Sequence, residues 1–114
     1  MTHATIYKSS LNGEILGFRT EGHAGYAESG SDIVCASISI LVINTINTID
    51  LYCGCTYTTD INEKAGLIEF KLSPFVKDLK VSNEVRVLLY GLELGLCQVA
   101  KENPKHLTIT VKEV

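Results

Sequence analysis

The sequence lacks the grouped basic residues that a phosphate backbone requires. Its formal net charge is -3, and its 10 Lys and Arg are spread along the 114 residues. Phosphate recognition draws on clustered Lys and Arg, so nucleic acid is set aside as a partner. The opening Met1-Thr2-His3-Ala4-Thr5 has no basic stretch followed by an apolar core, and the later apolar runs are broken by Asn, Thr and Asp. Neither a signal peptide nor a membrane span is therefore expected, and the protein is expected in the cytoplasm. Cysteine is scarce, with Cys35, Cys53, Cys55 and Cys97 alone. In a reducing compartment these are free thiols rather than a disulfide framework. There is no linker, low-complexity tract or convincing repeat, and the length suits one hydrophobic core, so residues 1–114 are read as a single domain.

The patterns that are present alternate between strand and helix. Thr5–Ser9 and Ile15–Gly22 flank Leu11-Asn12-Gly13-Glu14, and Asn-Gly tolerates the positive φ of a tight hairpin turn. Leu16, Phe18 and Thr20 share one face of the second run and Arg19 and Glu21 the other. From Asp32 to about Tyr52 the period becomes helical, with Ile33, Ala36, Ile40 and Ile43 near one stripe and Val34, Ile38, Leu41, Val42, Ile46 and Ile49 broadening it, which predicts a largely buried helix. Cys53-Gly54-Cys55 closes it, the glycine suiting a left-handed cap. A second strand pair, Thr56–Ile61 and Leu67–Leu72, precedes Ser73-Pro74. Ser82 can then cap a second helix carrying Val85, Leu88, Leu89, Leu92, Leu96 and Val99, which Asn103-Pro104 ends. Gly91 and Gly95 lie one turn apart and read as a helix-packing seam. Leu107, Ile109 and Val111 alternate along a final strand. The order β-β-α-β-β-α-β implies an α+β two-layer sandwich, a mainly antiparallel sheet with both helices on one face.

The chemistry concentrates between residues 21 and 36. His23 leaves a strand, Gly22, Gly25 and Gly30 loosen the chain, and Cys35 enters a helix start signalled by Gly30-Ser31-Asp32. A first helical turn offers unpaired amides and a positive dipole end, which favour a thiolate. His23 precedes Cys35 by twelve positions, enough for a loop to return its imidazole to the sulfur as proton carrier.

Each candidate has a plainer reading. A cysteine in an apolar helix is most often a small core residue, and Cys97 keeps that reading, whereas Cys35 combines a helix start, a glycine loop and a histidine. Cys53-Gly54-Cys55 lacks a second ligand pair at zinc spacing, so no metal is assigned and the cap reading is preferred. His3, beside the terminus, and His106, after Pro104, read as surface residues. Asp32 either complements the helix dipole or orients the site. Ser39, one turn after Cys35, is either a buried hydroxyl bonded to its own helix or a donor near the reacting centre. The glycines are turn formers or a gate that closes over a peptide, and Tyr26 either contacts substrate or holds the loop down.

The residues Gly22-His23-Ala24-Gly25-Tyr26-Ala27, then Gly30, then Asp32-Ile33-Val34-Cys35-Ala36, resemble the ribosomal-processing cysteine proteases of Firmicutes and related bacteria. The resemblance covers essentially the whole chain. It implies a Cys-His endopeptidase that removes a short N-terminal extension from large-subunit ribosomal protein twenty-seven, cutting after a pair of phenylalanines. It puts Cys35 as nucleophile and His23 as base and acid, with Asp32 and Ser39 near the site. It also implies a homodimer and no cofactor. Two other classes share the same features: a non-catalytic ribosome-assembly module that binds the extension, and a thiol redox sensor.

Overall fold

The computed structural model describes residues 1–22 and 31–114. Its elements are β1 (Thr2–Lys8), β2 (Ile15–Glu21), α1 (Ser31–Tyr52), β3 (Tyr57–Asn62), β4 (Leu67–Leu72), α2 (Asn83–Glu102) and β5 (Leu107–Glu113). The strands form one sheet in the order β3-β4-β2-β1-β5, with every neighbour antiparallel except the parallel pair β1·β5. This is the mainly antiparallel α+β sandwich that the patterning implies.

The turns follow from their residues. Gly13 takes a φ of 74°, Ser9 N–H donates to the Glu14 carbonyl, and Asn12 Oδ1 accepts from Glu14 N–H. In the second hairpin Gly66 takes a φ of 61°, and Asn62 Oδ1 accepts from Ala65 N–H. The sheet then puts Ile6, Phe18 and Phe70 in one core-facing row, since Ile6 is opposite Phe18 and Phe18 opposite Phe70. Phe18 and Phe70 stack with ring centroids 5.3 Å apart. Strand β1 starts at Thr2, earlier than its composition suggests, because β5 pairs with it from Thr2 and β2 from His3. His3 is accordingly a strand residue, exposed, with its ring nitrogen 2.7 Å from the Thr108 hydroxyl.

Both helices complete the core on that face. From α2 come Val85, Leu89, Leu92 and Leu96, and Ser82 caps the helix by accepting from Val85 N–H. From α1 come Val34, Ile38, Val42 and Ile49, spaced by four, four and seven residues along one side, with the buried Thr45 between the last two. Gly54, just past α1, has the expected left-handed φ of 61°.

Three expectations about the helices are corrected. The stripe Ile33, Ala36, Ile40 and Ile43 points outward, with Ile33 at 73% and Ile40 at 69% exposed. Apolar residues surround most of α1, so periodicity could not choose the inner side. Between Ile33 and Tyr52 the helix is in fact long and apolar enough to cross a bilayer, at a mean hydropathy of 1.7; what occupies its inner side here is the sheet and α2. Cys97 is exposed rather than in the core, because it lies well round the helix from Leu92 and Leu96. Of the proposed glycine seam only Gly95 packs, its Cα facing the Leu41 side chain of α1, while Gly91 looks into open space.

The opposite face of the sheet carries a polar cluster. Tyr7 Oη donates to Glu69 Oε2 at 2.7 Å, with Arg19 and Lys71 at 3.5 and 3.6 Å from the same carboxylate. Burial alone would raise the Glu69 pKa, but the Tyr7 hydrogen bond and the charges of Lys71 and Arg19 outweigh it and hold the carboxyl below its ordinary value. A depressed folded pKa gives stability that is present above the unfolded value of about 4.3 and is lost as the pH falls through the folded one. Glu69→Gln is therefore expected to be less stable than the parent at neutral pH and to close that gap below about pH 4, as read from urea midpoints at stepped pH.

Gly22, at the end of β2, has a φ of 94°, and a Cβ there would stand 2.6 Å from the Met1 carbonyl oxygen. Gly13 shares the positive φ but meets nothing within 4 Å. Gly13→Ala is expected to cost about 1–2 kcal/mol from the backbone alone, and Gly22→Ala distinctly more because the Met1 backbone must also move. Equilibrium unfolding of the two variants checks the order.

Candidate active site

The core stripe of α1 decides where Cys35 points. Val34 is 1% and Ile38 6% exposed, and Cys35 lies about 100° round the helix from Val34, on the flank towards the β3–β4 hairpin. There it lines a groove of about 420 Å³. Counting from Ser31, Cys35 opens the second turn rather than sitting in the first. Its own amide is then within the helical ladder, and the free amides are those of the turn before it.

The groove is built from two sides. On the helix side Ser39, Ile43, Ile46 and Asn47 follow Cys35 along the same flank. Opposite them are the ends of four strands: Thr2 of β1, Thr20 at the end of β2, Ile61 and Asn62 of β3, and Leu67 and Ile68 of β4. Gly22 joins these ends, since its N–H donates to the Ala65 carbonyl in the β3–β4 turn at 3.2 Å. Thr2 and Thr20, at 4% and 3% exposed, form part of the floor. Among the described lining residues Glu63 is the one charged side chain.

The structure thus brings together Cys35, Ser39 and Gly22 of the expected set. Ser39 is exposed, which removes the reading of it as a buried hydroxyl and leaves its place beside Cys35. His23, Gly25, Tyr26 and Gly30 lie outside the described residues, as does the side chain of Asp32, whose backbone belongs to the start of α1. The strand-end residues were missed by the sequence reading. Each is an ordinary strand position, and only the order β3-β4-β2-β1 makes them neighbours.

The other thiols have different surroundings. Cys53 and Cys55 are half-buried against the edge of the core, and burial, with Cys53 nearby, pushes the Cys55 thiol up. A raised thiol is a poorer nucleophile at neutral pH. Cys97 is on the outer side of α2. Of the four, Cys35 is the thiol that lines the groove. Among the described residues no group of three or more His, Cys, Asp and Glu is placed to hold a metal ion.

Comparison with known proteins gives this arrangement a family. The model of the family "cysteine protease Prp" matches residues 1–108. The ribosomal processing cysteine protease Prp of Bacillus subtilis (strain 168) is 31% identical over 110 residues, covering 96% of each chain. Among solved structures, SMU.848 from Streptococcus mutans superposes with a TM-score of 0.85 at 28% identity, over 100% of this chain and 96% of its own. The essential ribosomal processing protease Prp from S. aureus, solved in complex with a substrate peptide, superposes at 0.83 over 98% of this chain and 100% of its own. At 20% identity that second likeness speaks for the fold. Sequence match, fold and a groove-lining thiol agree, and the chain belongs to the Prp family of cysteine proteases.

Proposed function

We propose that the chain acts as a single cytoplasmic cysteine protease domain in which Cys35 is the nucleophile and His23 the general base and acid. The observation that carries this is the position of Cys35 on an apolar groove deep enough to hold part of a peptide. The Cys35 thiolate attacks the scissile carbonyl, and His23 takes the thiol proton and passes it to the leaving amine. Water then attacks the thioester, with His23 accepting its proton, and the acid product leaves. The unpaired amides of the first turn of α1 are suited to the developing oxyanion. Ser39, which lines the groove with Cys35, is assigned as a hydrogen-bond donor to the reacting centre, and Asp32 is assigned a supporting role.

The substrate proposed is the short N-terminal extension of large-subunit ribosomal protein twenty-seven, cut after a Phe-Phe pair, a processing step needed for ribosome assembly. The name of the B. subtilis relative, a ribosomal processing protease, and an apolar groove suited to aromatic side chains both support that choice. Neither a cofactor nor a metal has a part in it.

The same proposal includes a homodimer, formed through the outer face of the helical layer. Ile33, Ile40 and Leu51 on α1 and Val87 and Leu94 on α2 are each more than 60% exposed, and α1 contains no basic residue to break the surface. A face this apolar, lying across two neighbouring helices, suits a second copy of itself.

Two experiments test these statements. A synthetic peptide spanning the extension should be cut once by the parent protein, followed by mass spectrometry, and Cys35→Ala and His23→Ala should each lower the rate by at least about a thousandfold. Peptide bound but left intact by the parent would favour the assembly-module reading, and full cutting by Cys35→Ala would remove Cys35 from the mechanism. For the dimer, sedimentation should show two copies, and Ile40→Asp should weaken association at least about tenfold, since a carboxylate would be buried in the contact.

A further inference from the structure

At the far end of α1 from the groove, two thiols flank a glycine. Cys53 closes the helix, its N–H donating to the Ile49 carbonyl at 3.1 Å, and Cys55 stands just beyond Gly54. Both thiols are half-buried, and both pack against the same core cluster, so their side chains share one side of the chain. Cα atoms two residues apart are at most about 7.6 Å from one another. Gly54, with a φ of 61°, bends the chain in the left-handed sense and shortens that span into the roughly 4.4–6.8 Å of a disulfide. The two thiols also feel each other's charge, since Cys53 adds to the burial that pushes the Cys55 thiol up. Gly54 itself is exposed, and a Cβ on it would meet nothing within 4 Å, so a reagent can approach the bend from solvent. Cys35 is separated from the pair by most of α1, about 25 Å of helix, which rules it out as their partner within the chain.

We infer that Cys53 and Cys55 are a redox-active dithiol, a site separate from the groove, which closes into an intrachain disulfide on meeting a low-molecular-weight disulfide such as oxidised glutathione. One cysteine thiolate attacks a sulfur of the reagent: a bond from protein sulfur to glutathione forms, the reagent's sulfur–sulfur bond breaks and the first glutathione leaves as a thiolate. The other cysteine thiolate then attacks the protein sulfur of that mixed disulfide and expels the second glutathione. The protein gives up two electrons and its two thiol protons, and the departing thiolates take up the protons. The new ring spans only three residues, so it removes little chain entropy and adds little stability. Its use is to hold and return an electron pair. An uncharged disulfide also suits a half-buried edge, where two thiolates would oppose each other, whereas a soft metal ion would need both of them charged.

The test takes the full chain with Cys35→Ala, reduces it, removes the reductant, adds excess oxidised glutathione and maps each cysteine by mass spectrometry. Exposed Cys97 is the internal reference for a single thiol. The peptide carrying Cys53 and Cys55 should lose two hydrogens and keep no glutathione, while Cys97 keeps one. With Cys55→Ser added, the adduct on Cys53 should persist, accumulating at least about tenfold over the level seen with both thiols present, because the resolving thiolate is gone. Glutathione retained on both Cys53 and Cys55 would overturn the inference, as would both thiols still free once Cys97 is modified. A pair that stays reduced while native mass spectrometry shows one monovalent copper ion held by it would overturn it too, and would assign a soft-metal site instead. With Cys35 absent, none of these outcomes bears on the nucleophile of the groove.

Discussion

The seating of α1 on the sheet is the constraint from which the site follows. Val34, Ile38, Val42 and Ile49 are all but completely buried, and a helix with four such anchors cannot turn about its axis without lifting them out of the cluster they share with Phe18, Phe70 and α2. Turning by one residue would place Cys35 where Val34 is, and the thiol would become a core atom. The helix propensity of the chain has little say in this. Packing fixes the rotation, and rotation decides that the sulfur meets the groove while Ile33, two positions earlier, meets the outside.

The second wall is held by a different device. Thr2, Thr20, Ile61 and Leu67 come from four strands, and they converge because the pairings β1·β2, β2·β4 and β3·β4 bring those strand ends to one edge of the sheet. Gly22 then ties β2 to the β3–β4 turn through the Ala65 carbonyl and passes under Met1 at a distance no side chain would permit. The chain therefore leaves the sheet towards residue 23 from a point fixed on two sides.

How much of this the sequence shows depends on whether a residue answers to local or to distant neighbours. Asn12-Gly13, the alternation Ile68-Phe70-Leu72 and the Ser82 cap are local, and each stands in the structure where its pattern puts it. The association of Cys35 with a helix start is legible for the same reason. Strand order is not, because it depends on which edges pair after the chain has doubled back, and with it goes the entire hairpin wall of the groove. Gly91 and Gly95 show the limit inside one helix: identical in type and one turn apart, they differ only because Leu41 of α1 is opposite one of them.

The misplaced stripe of α1 has a more specific origin. Its hydropathy adds two faces that serve different ends: an inner one of Val34, Ile38, Val42 and Ile49, and an outer one of Ile33, Ile40 and Leu51. A periodicity argument assumes that the more apolar side is the buried side, and it loses its contrast when both sides are apolar. The choice between them then passes to the sheet. Val34, Val42 and Ile49 share one buried cluster with Phe18 and Phe70, and with that side of α1 inward its flank carries Cys35 to the groove that the strand ends line. The apolar outer face is thus the remainder of a helix whose inner side is already engaged by the sheet and α2, and its exposure and the placement of the thiol have one cause.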